Sequence, residues 1–207
     1  MALGIIGRKV GMTRIFNADG RTVPVTVVQA GPCPVVARRE PGNGGYASLQ
    51  LGYGAGRKVS KPLAGHFKKA GLAPTRILKE FRVSNEQMEK FPSGSQVTVE
   101  IFEVGERVAV TGRTIGKGFQ GVVKRHGFKG GAATHGSMSH RAPGSIGGSN
   151  PDRVTKGHRM GGRMGGVNLT VRGLEVVGID KEKNLLLLKG AVPGAEDGLL
   201  QVKKIKG

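Results

Sequence analysis

The stretch from Gly112 to Gly166 limits the fold more than any other part of the chain. Within 55 residues it holds 16 glycines, ten Lys or Arg and a single acid, Asp152. Ordering a residue's backbone costs about 1–2 kcal/mol, whereas fully burying one apolar side chain returns about 1.5–3 kcal/mol. About ten apolar side chains, Ile115, Phe119, Val122 and Phe128 among them, cannot offset the ordering of so long a segment. The segment therefore does not fold alone. Either it is disordered, or something large and negatively charged holds it.

The 207 residues as a whole suit one or two domains with a real core. Net charge is +19, from 33 basic and 14 acidic residues. Residues 1–111 contribute +8, 112–166 contribute +9 and 167–207 contribute +2, so about half the excess sits in a quarter of the chain. A clustered positive field points to nucleic acid or an anionic membrane; solubility needs far less charge. No apolar run approaches the length of a membrane span. The start, Met1-Ala2-Leu3-Gly4-Ile5-Ile6-Gly7-Arg8-Lys9, lacks the pattern of a signal peptide. The basic segment has too many glycines for an amphipathic surface helix. Cys33, the one cysteine, excludes an intrachain disulfide and a thiolate zinc site and fits a reducing cytosol. Flanked by Pro32 and Pro34, it reads as a small buried residue.

The flanks read as β-structure. Met12–Phe16 and Thr22–Gln29 form a hairpin around Asn17-Ala18-Asp19-Gly20, with Pro24 at an edge or strand start. Val35–Arg39 pairs with Tyr46–Tyr53 across Glu40-Pro41-Gly42-Asn43-Gly44-Gly45. Lys61–Ala70 is a short helix with Leu63, Phe67 and Ala70 on one face and Gly71 as its stop. Ile77–Val83 is a strand, and Ser84–Lys90 a short helix with Ser84 and Gln87 spaced for a capping box. Val97–Phe102 and Arg107–Thr114 form a third hairpin around Glu103–Glu106. Leu169–Ile179 and Leu185–Lys189 flank a turn at Asp180–Asn184, a turn follows at Ala191–Gly194, and Leu199–Ile205 is a last strand. Many short, evenly spaced strands point to a barrel. The strands before Thr114 and after Val167 then belong to one body, with a long excursion between them.

Within the basic segment, catalytic patterns fail on spacing. Gly112-Arg-Thr-Ile-Gly116-Lys117-Gly118 has one residue too few between its first glycines for a P-loop, and no Ser or Thr after the lysine. Its glycines and Lys117 still allow backbone amides to approach phosphates. His126, His135, His140 and His158 match no metal-ligand spacing, and no acid is placed to orient a histidine toward Ser137, Ser139 or Ser145. No metal or cofactor is expected. The cations stand singly between glycines, which suits a ribbon threading packed RNA helices better than a helix reading a DNA groove. Aromatics are too few for base-stacking platforms, so phosphate, 2′-OH and shape are the expected targets. Met138, Met160 and Met164 read as contacts to that partner. An enzyme acting on RNA or nucleotides, with its site in this segment, is the rival from another class, and a DNA-compacting protein a second.

Several stretches carry a resemblance. They are Gly4-Ile-Ile-Gly-Arg-Lys-Val-Gly-Met-Thr13, Gly116-Lys-Gly-Phe-Gln-Gly-Val-Val-Lys-Arg125, Ala133-Thr-His-Gly136, Ser139-His-Arg-Ala-Pro-Gly-Ser-Ile-Gly147, Lys156-Gly-His-Arg-Met-Gly-Gly162 and Asn184-Leu-Leu-Leu-Leu-Lys-Gly-Ala-Val-Pro-Gly194. In that order, and along the whole chain, they resemble the bacterial large-subunit ribosomal protein three family. The resemblance implies a mainly β fold: a translation-protein-type β-barrel with a small α+β insertion and a long irregular, Gly-rich basic extension. It implies a discontinuous body of residues 1–124 and 166–207, with a small lobe at about 45–95, and an RNA-penetrating loop at 125–165. Its function is then structural and not catalytic: a cytoplasmic constituent of the large subunit. It would bind ribosomal RNA near the 3′ end, help nucleate early assembly, and reach toward the peptidyl transferase centre. Expected neighbours are large-subunit proteins fourteen and nineteen; no membrane or small-molecule substrate is expected. The RNA contacts are expected from Lys117, Lys124, Arg125, Lys129, His135, His140, Arg141, Arg153, Lys156, His158, Arg159 and Arg163. The loop tip is expected at Gly147, Gly148, Ser149, Asn150, Pro151, Asp152 and Arg153. Many relatives carry a methylated glutamine in this tip. Here no Gln lies between Gln120 and Gln201, so that modification is not expected.

Overall fold

A computed structural model describes residues 3–17, 19–42, 45–56, 58–150 and 152–205. The chain divides into two compact units. One comprises the residues up to Arg113 with those from Asn168 onward, and the other is Thr114–Val167.

The first unit is built on a closed barrel of six strands. These are β1 (Gly4–Phe16), β2 (Thr22–Ala30), β7 (Arg107–Arg113), β10 (Asn168–Asp180), β11 (Leu185–Lys189) and β12 (Leu199–Lys204), ordered β1-β12-β7-β10-β11-β2 and closing back on β1. Every pairing is antiparallel. Period-two alternation sets the inward face: Val23 and Val25 on β2, Val108 and Val110 on β7, Leu186 and Leu188 on β11, and Leu200 and Val202 on β12 are all buried. Gly112 continues the inward series on β7, directly opposite Leu200. A Cβ there would lie 2.7 Å from Leu200 Cδ2 and 2.9 Å from the Pro193 carbonyl, so only glycine fits. Gly112 is thus a barrel-interior residue and not part of a phosphate-facing loop.

A second sheet, ordered β5-β4-β3-β6, packs on the same core. It comprises β3 (Cys33–Arg39), β4 (Ser48–Ala55), β5 (Thr75–Arg82) and the two-residue β6 (Gln96–Val97). Helix α1 (Lys61–Lys69) lies between β4 and β5, and α2 (Asn85–Lys90) between β5 and β6. Leu49, Leu51, Phe81 and Val97 from this sheet join Ile5, Val28, Val110 and Leu186 from the barrel in one cluster.

The first hairpin forms as expected, with Phe16 opposite Thr22 and Gly20 at φ 74° in its turn; Ala18 lies outside the described residues. Pro24 is one residue beyond the β2–β11 ladder, where its missing N–H costs nothing. β3 and β4 pair as expected, though Asn43 and Gly44 of their connection lie outside the described residues. The β10–β11 hairpin turns at Asn184, φ 52°.

Three expectations fail. The third hairpin does not exist: Val97 pairs with Cys33 of β3, a 3₁₀ turn follows at Val99–Ile101, and β7 pairs with β10 and β12 instead. The buried run Val97, Val99 and Phe102 is drawn into the shared core, which outweighs local pairing. Ser84 caps α2 in position only, because its side chain makes no capping hydrogen bond. On α1, only Phe67 of the expected apolar face is buried.

Candidate nucleic-acid interface

Thr114–Val167 begins and ends as two antiparallel arms. Thr114 N–H donates to the Val167 carbonyl at 2.9 Å, and Gly166 N–H returns to the Thr114 carbonyl at 3.1 Å. Lys117 N–H and the Met164 carbonyl, then Met164 N–H and the Gly118 carbonyl, are joined at 2.9 Å each. The arms finish in the short pair β8 (Phe119–Gln120) and β9 (Gly162–Arg163). Helix α3 (Val122–His126) follows and stops at Gly127, whose φ of 74° is left-handed.

Two side chains of α3 fasten the opposite arm. Arg125 Nη1 donates to the Met160 carbonyl at 2.8 Å, and His126 Nε2 lies 3.0 Å from the same oxygen. Arg125 therefore has an internal partner as well as the charge expected of an RNA contact. Nothing in the sequence marked this, since 35 residues separate Arg125 from Met160.

Beyond α3 the chain forms a small loop. His135 and Gly136, φ 58° and 67°, turn it so that Gly131 N–H donates to the His140 carbonyl at 3.1 Å. The approach is close: a Cβ on Gly130 or Gly131 would lie 2.5 Å from the His140 carbonyl or 2.7 Å from the Ser139 carbonyl. His140 Nδ1 is 3.0 Å from the Ala132 carbonyl. Lys129 precedes this loop, His135 stands at its turn and Arg141 follows it. Further on, Ser145 donates to the Gly147 carbonyl at 2.9 Å. Gly148, Ser149, Asn150, Asp152 and Arg153 are exposed; Pro151 lies outside the described residues. A turn at Thr155–His158 carries Lys156 and leads to Arg159.

Val122 is the only buried residue among those described between 114 and 167. Lys117, Lys124, Lys129, His135, His140, Arg141, Arg153, Lys156, His158, Arg159 and Arg163 are all exposed, and Arg125 is half-buried. Among the described residues, no cation of this unit is in an ion pair; the five ion pairs found all lie in the other unit. Apolar side chains are exposed too, with Phe119 at 76% and Met138 at 96%. The unit presents charge and backbone over its whole length with almost no interior. Among the described residues, no three of His, Cys, Asp and Glu come together as metal ligands.

Residues 65–184 match the family model of ribosomal protein L3. The chain belongs to the ribosomal protein L3 family. It is 50% identical to large ribosomal subunit protein uL3 of Carboxydothermus hydrogenoformans, with both chains covered in full. It is 52% identical to the uL3 proteins of an Azoarcus species, over 98% of each chain, and of Acidothermus cellulolyticus, over 97% of this chain and 91% of that one. The L3 family match spans strands of the barrel and the whole of Thr114–Val167, so the exposed cations sit inside the family-defining region.

Proposed function

We propose that this L3-family chain is a structural, non-catalytic constituent of the large ribosomal subunit in the bacterial cytoplasm, and that Thr114–Val167 binds large-subunit ribosomal RNA. One observation carries the reading: a 54-residue unit with nine Lys or Arg, one acid, no ion pair and one buried side chain among its described residues. Such a surface is stabilised by a polyanion, whose condensed counterions the cations displace. Membership of a family whose relatives are named as large-subunit proteins supports the same partner.

Within that reading, Lys117, Lys124, Lys129, Arg141, Arg153, Lys156, Arg159 and Arg163 contact phosphates, with Arg125 dividing its donors between Met160 and RNA. His135, His140 and His158 reach phosphate, base or sugar. Residues 125–165 form the loop that enters the RNA toward the peptidyl transferase centre, with 147–153 foremost. The barrel, with residues 1–124 and 166–207 as its body, docks near the 3′ end of the RNA beside proteins fourteen and nineteen and acts early in assembly.

Replacing Arg141, Arg153 and Lys156 together by Gln tests the reading against a large-subunit RNA fragment. The slope of log binding constant against log salt should flatten by about 0.7–0.9 per contact, or roughly 2–3 in all. An unchanged slope removes these residues from the interface. Magnesium-dependent RNA cleavage would favour an enzyme, and equal affinity for duplex DNA would favour a compacting protein.

A further inference from the structure

The outer stretch of β1 has a strand on one side only. β1 meets β12 over Gly4–Arg8, and a bulge between Lys9 and Gly11 follows. Lys9 is still covered, since its N–H donates to the Gly198 carbonyl at 3.0 Å and its carbonyl accepts from Asp197 at 2.9 Å. From Gly11 to Phe16, β1 pairs with β2 alone among the described residues.

Backbone alternation says which groups this leaves open. Asn17 N–H donates to the Arg21 carbonyl at 3.0 Å and closes the hairpin. Antiparallel pairing turns every second residue toward the partner strand, so Ile15 and Thr13 direct their N–H and C=O groups to β2. Met12, Arg14 and Phe16 direct theirs to the open side, and their side chains share one face of the sheet. That face is apolar and uncovered: Met12 is 51% exposed and Phe16 70%, with Val10 of the bulge at 49%. Arg14 between them is exposed and in no ion pair among the described residues. Glu196 stands at the barrel end of the stretch, its Oε1 3.9 Å from where a Cβ on Gly11 would lie.

An open row of donors and acceptors at peptide spacing, flanked by apolar side chains, is a template for another strand. Nucleic acid has no such ladder and gains little from Met12 and Phe16. Arg14 sets the charge that the occupant must supply.

We propose that Met12–Phe16 is a protein-docking edge that takes an extended segment of a partner protein, with apolar side chains against Met12 and Phe16 and an acid against Arg14. The edge belongs to the other unit from the basic segment and needs no phosphate, so it stands or falls apart from the RNA reading.

The test uses the full chain and a short synthetic peptide with Val, Glu and Val at alternate positions and Thr between them. The peptide should shift the Met12 methyl and Phe16 ring resonances saturably and slow amide exchange at Met12, Arg14 and Phe16. Methylating the peptide's edge-facing amide nitrogens should weaken it about tenfold. Phe16→Ser should weaken it up to about fivefold. Arg14→Glu should weaken it similarly and restore binding to a peptide with Lys in place of Glu. Both side chains are exposed, so these variants keep the fold. No saturable response at millimolar peptide overturns the proposal. Equal binding of the N-methylated peptide overturns strand addition, and indifference to the charge exchange overturns Arg14 as the selector. Protection of these amides that grows with the protein's own concentration assigns the edge to a second copy of this chain and overturns the partner. Protection by the large-subunit RNA fragment alone assigns the face to nucleic acid and also overturns it.

Discussion

Cys33 is fully buried, and its thiol donates to the Ile6 carbonyl at 3.4 Å. Burial pushes the thiol from 9.0 up to about 12. That rise cuts the thiolate fraction by orders of magnitude, so alkylation at pH 8 should be slower by at least about a hundredfold in native protein than in urea. Equal rates would place the thiol at the surface. The unfolded thiol ionises first, so Cys33 also lowers stability as pH rises above 9. Glu80 behaves oppositely: the Ser48 hydroxyl hydrogen bond, against burial and with help from Tyr46, Arg39 and Arg82, holds its carboxyl below the usual range. That contribution is present above the unfolded carboxyl's pKa and is lost as pH falls through the folded one. Ser48→Ala should cost about 1.5 kcal/mol at pH 7 and clearly less at pH 3, measured by urea titration. The burial of Cys33 was legible from its residue type, since a free cysteine is among the most often buried side chains. The grip of Ser48 on Glu80 was not, because it joins strands 32 residues apart.

Elements were legible where local pattern and tertiary demand agree. The β1–β2, β3–β4 and β10–β11 hairpins combine apolar strands with Gly, Asn or Asp turns, and all three form. Val97–Phe102 has the same local look, yet its side chains belong to a core shared with β3, and no hairpin results. α2 makes the point for caps, since Ser84 is at the right position but its hydroxyl bonds nothing there. Ser84→Ala should therefore cost under about 0.5 kcal/mol, where a working cap would cost about 1 kcal/mol. Gly112→Ala is the contrasting case. Its Cβ would enter the barrel against Leu200 and Pro193, and overpacking there should cost about 1–3 kcal/mol in a denaturation midpoint. A neutral result would mean that β7 and β12 separate more easily than their register implies.

At the scale of the molecule, the two units differ in what stabilises them. The barrel and its companion sheet share one buried cluster, whereas Thr114–Val167 has Val122 alone buried among its described residues. Hydrogen exchange in the free protein should therefore be slow in β1, β2, β7, β11 and β12 and near intrinsic rates over 127–160, with protection of 127–160 appearing only on RNA. Slow exchange there without RNA would contradict a polyanion-dependent structure. Charge clustering, glycine content and the shortage of apolar side chains were sufficient to mark out the basic segment, and alternation with turn chemistry to mark most strands. These are properties of neighbours along the chain. Barrel closure through β1–β12 and β7–β12, the interior place of Gly112 and the clasp of Arg125 on Met160 came only with the folded structure. Each unites residues tens of positions apart, and what brings such residues together is the burial of a common apolar surface, which no local window contains.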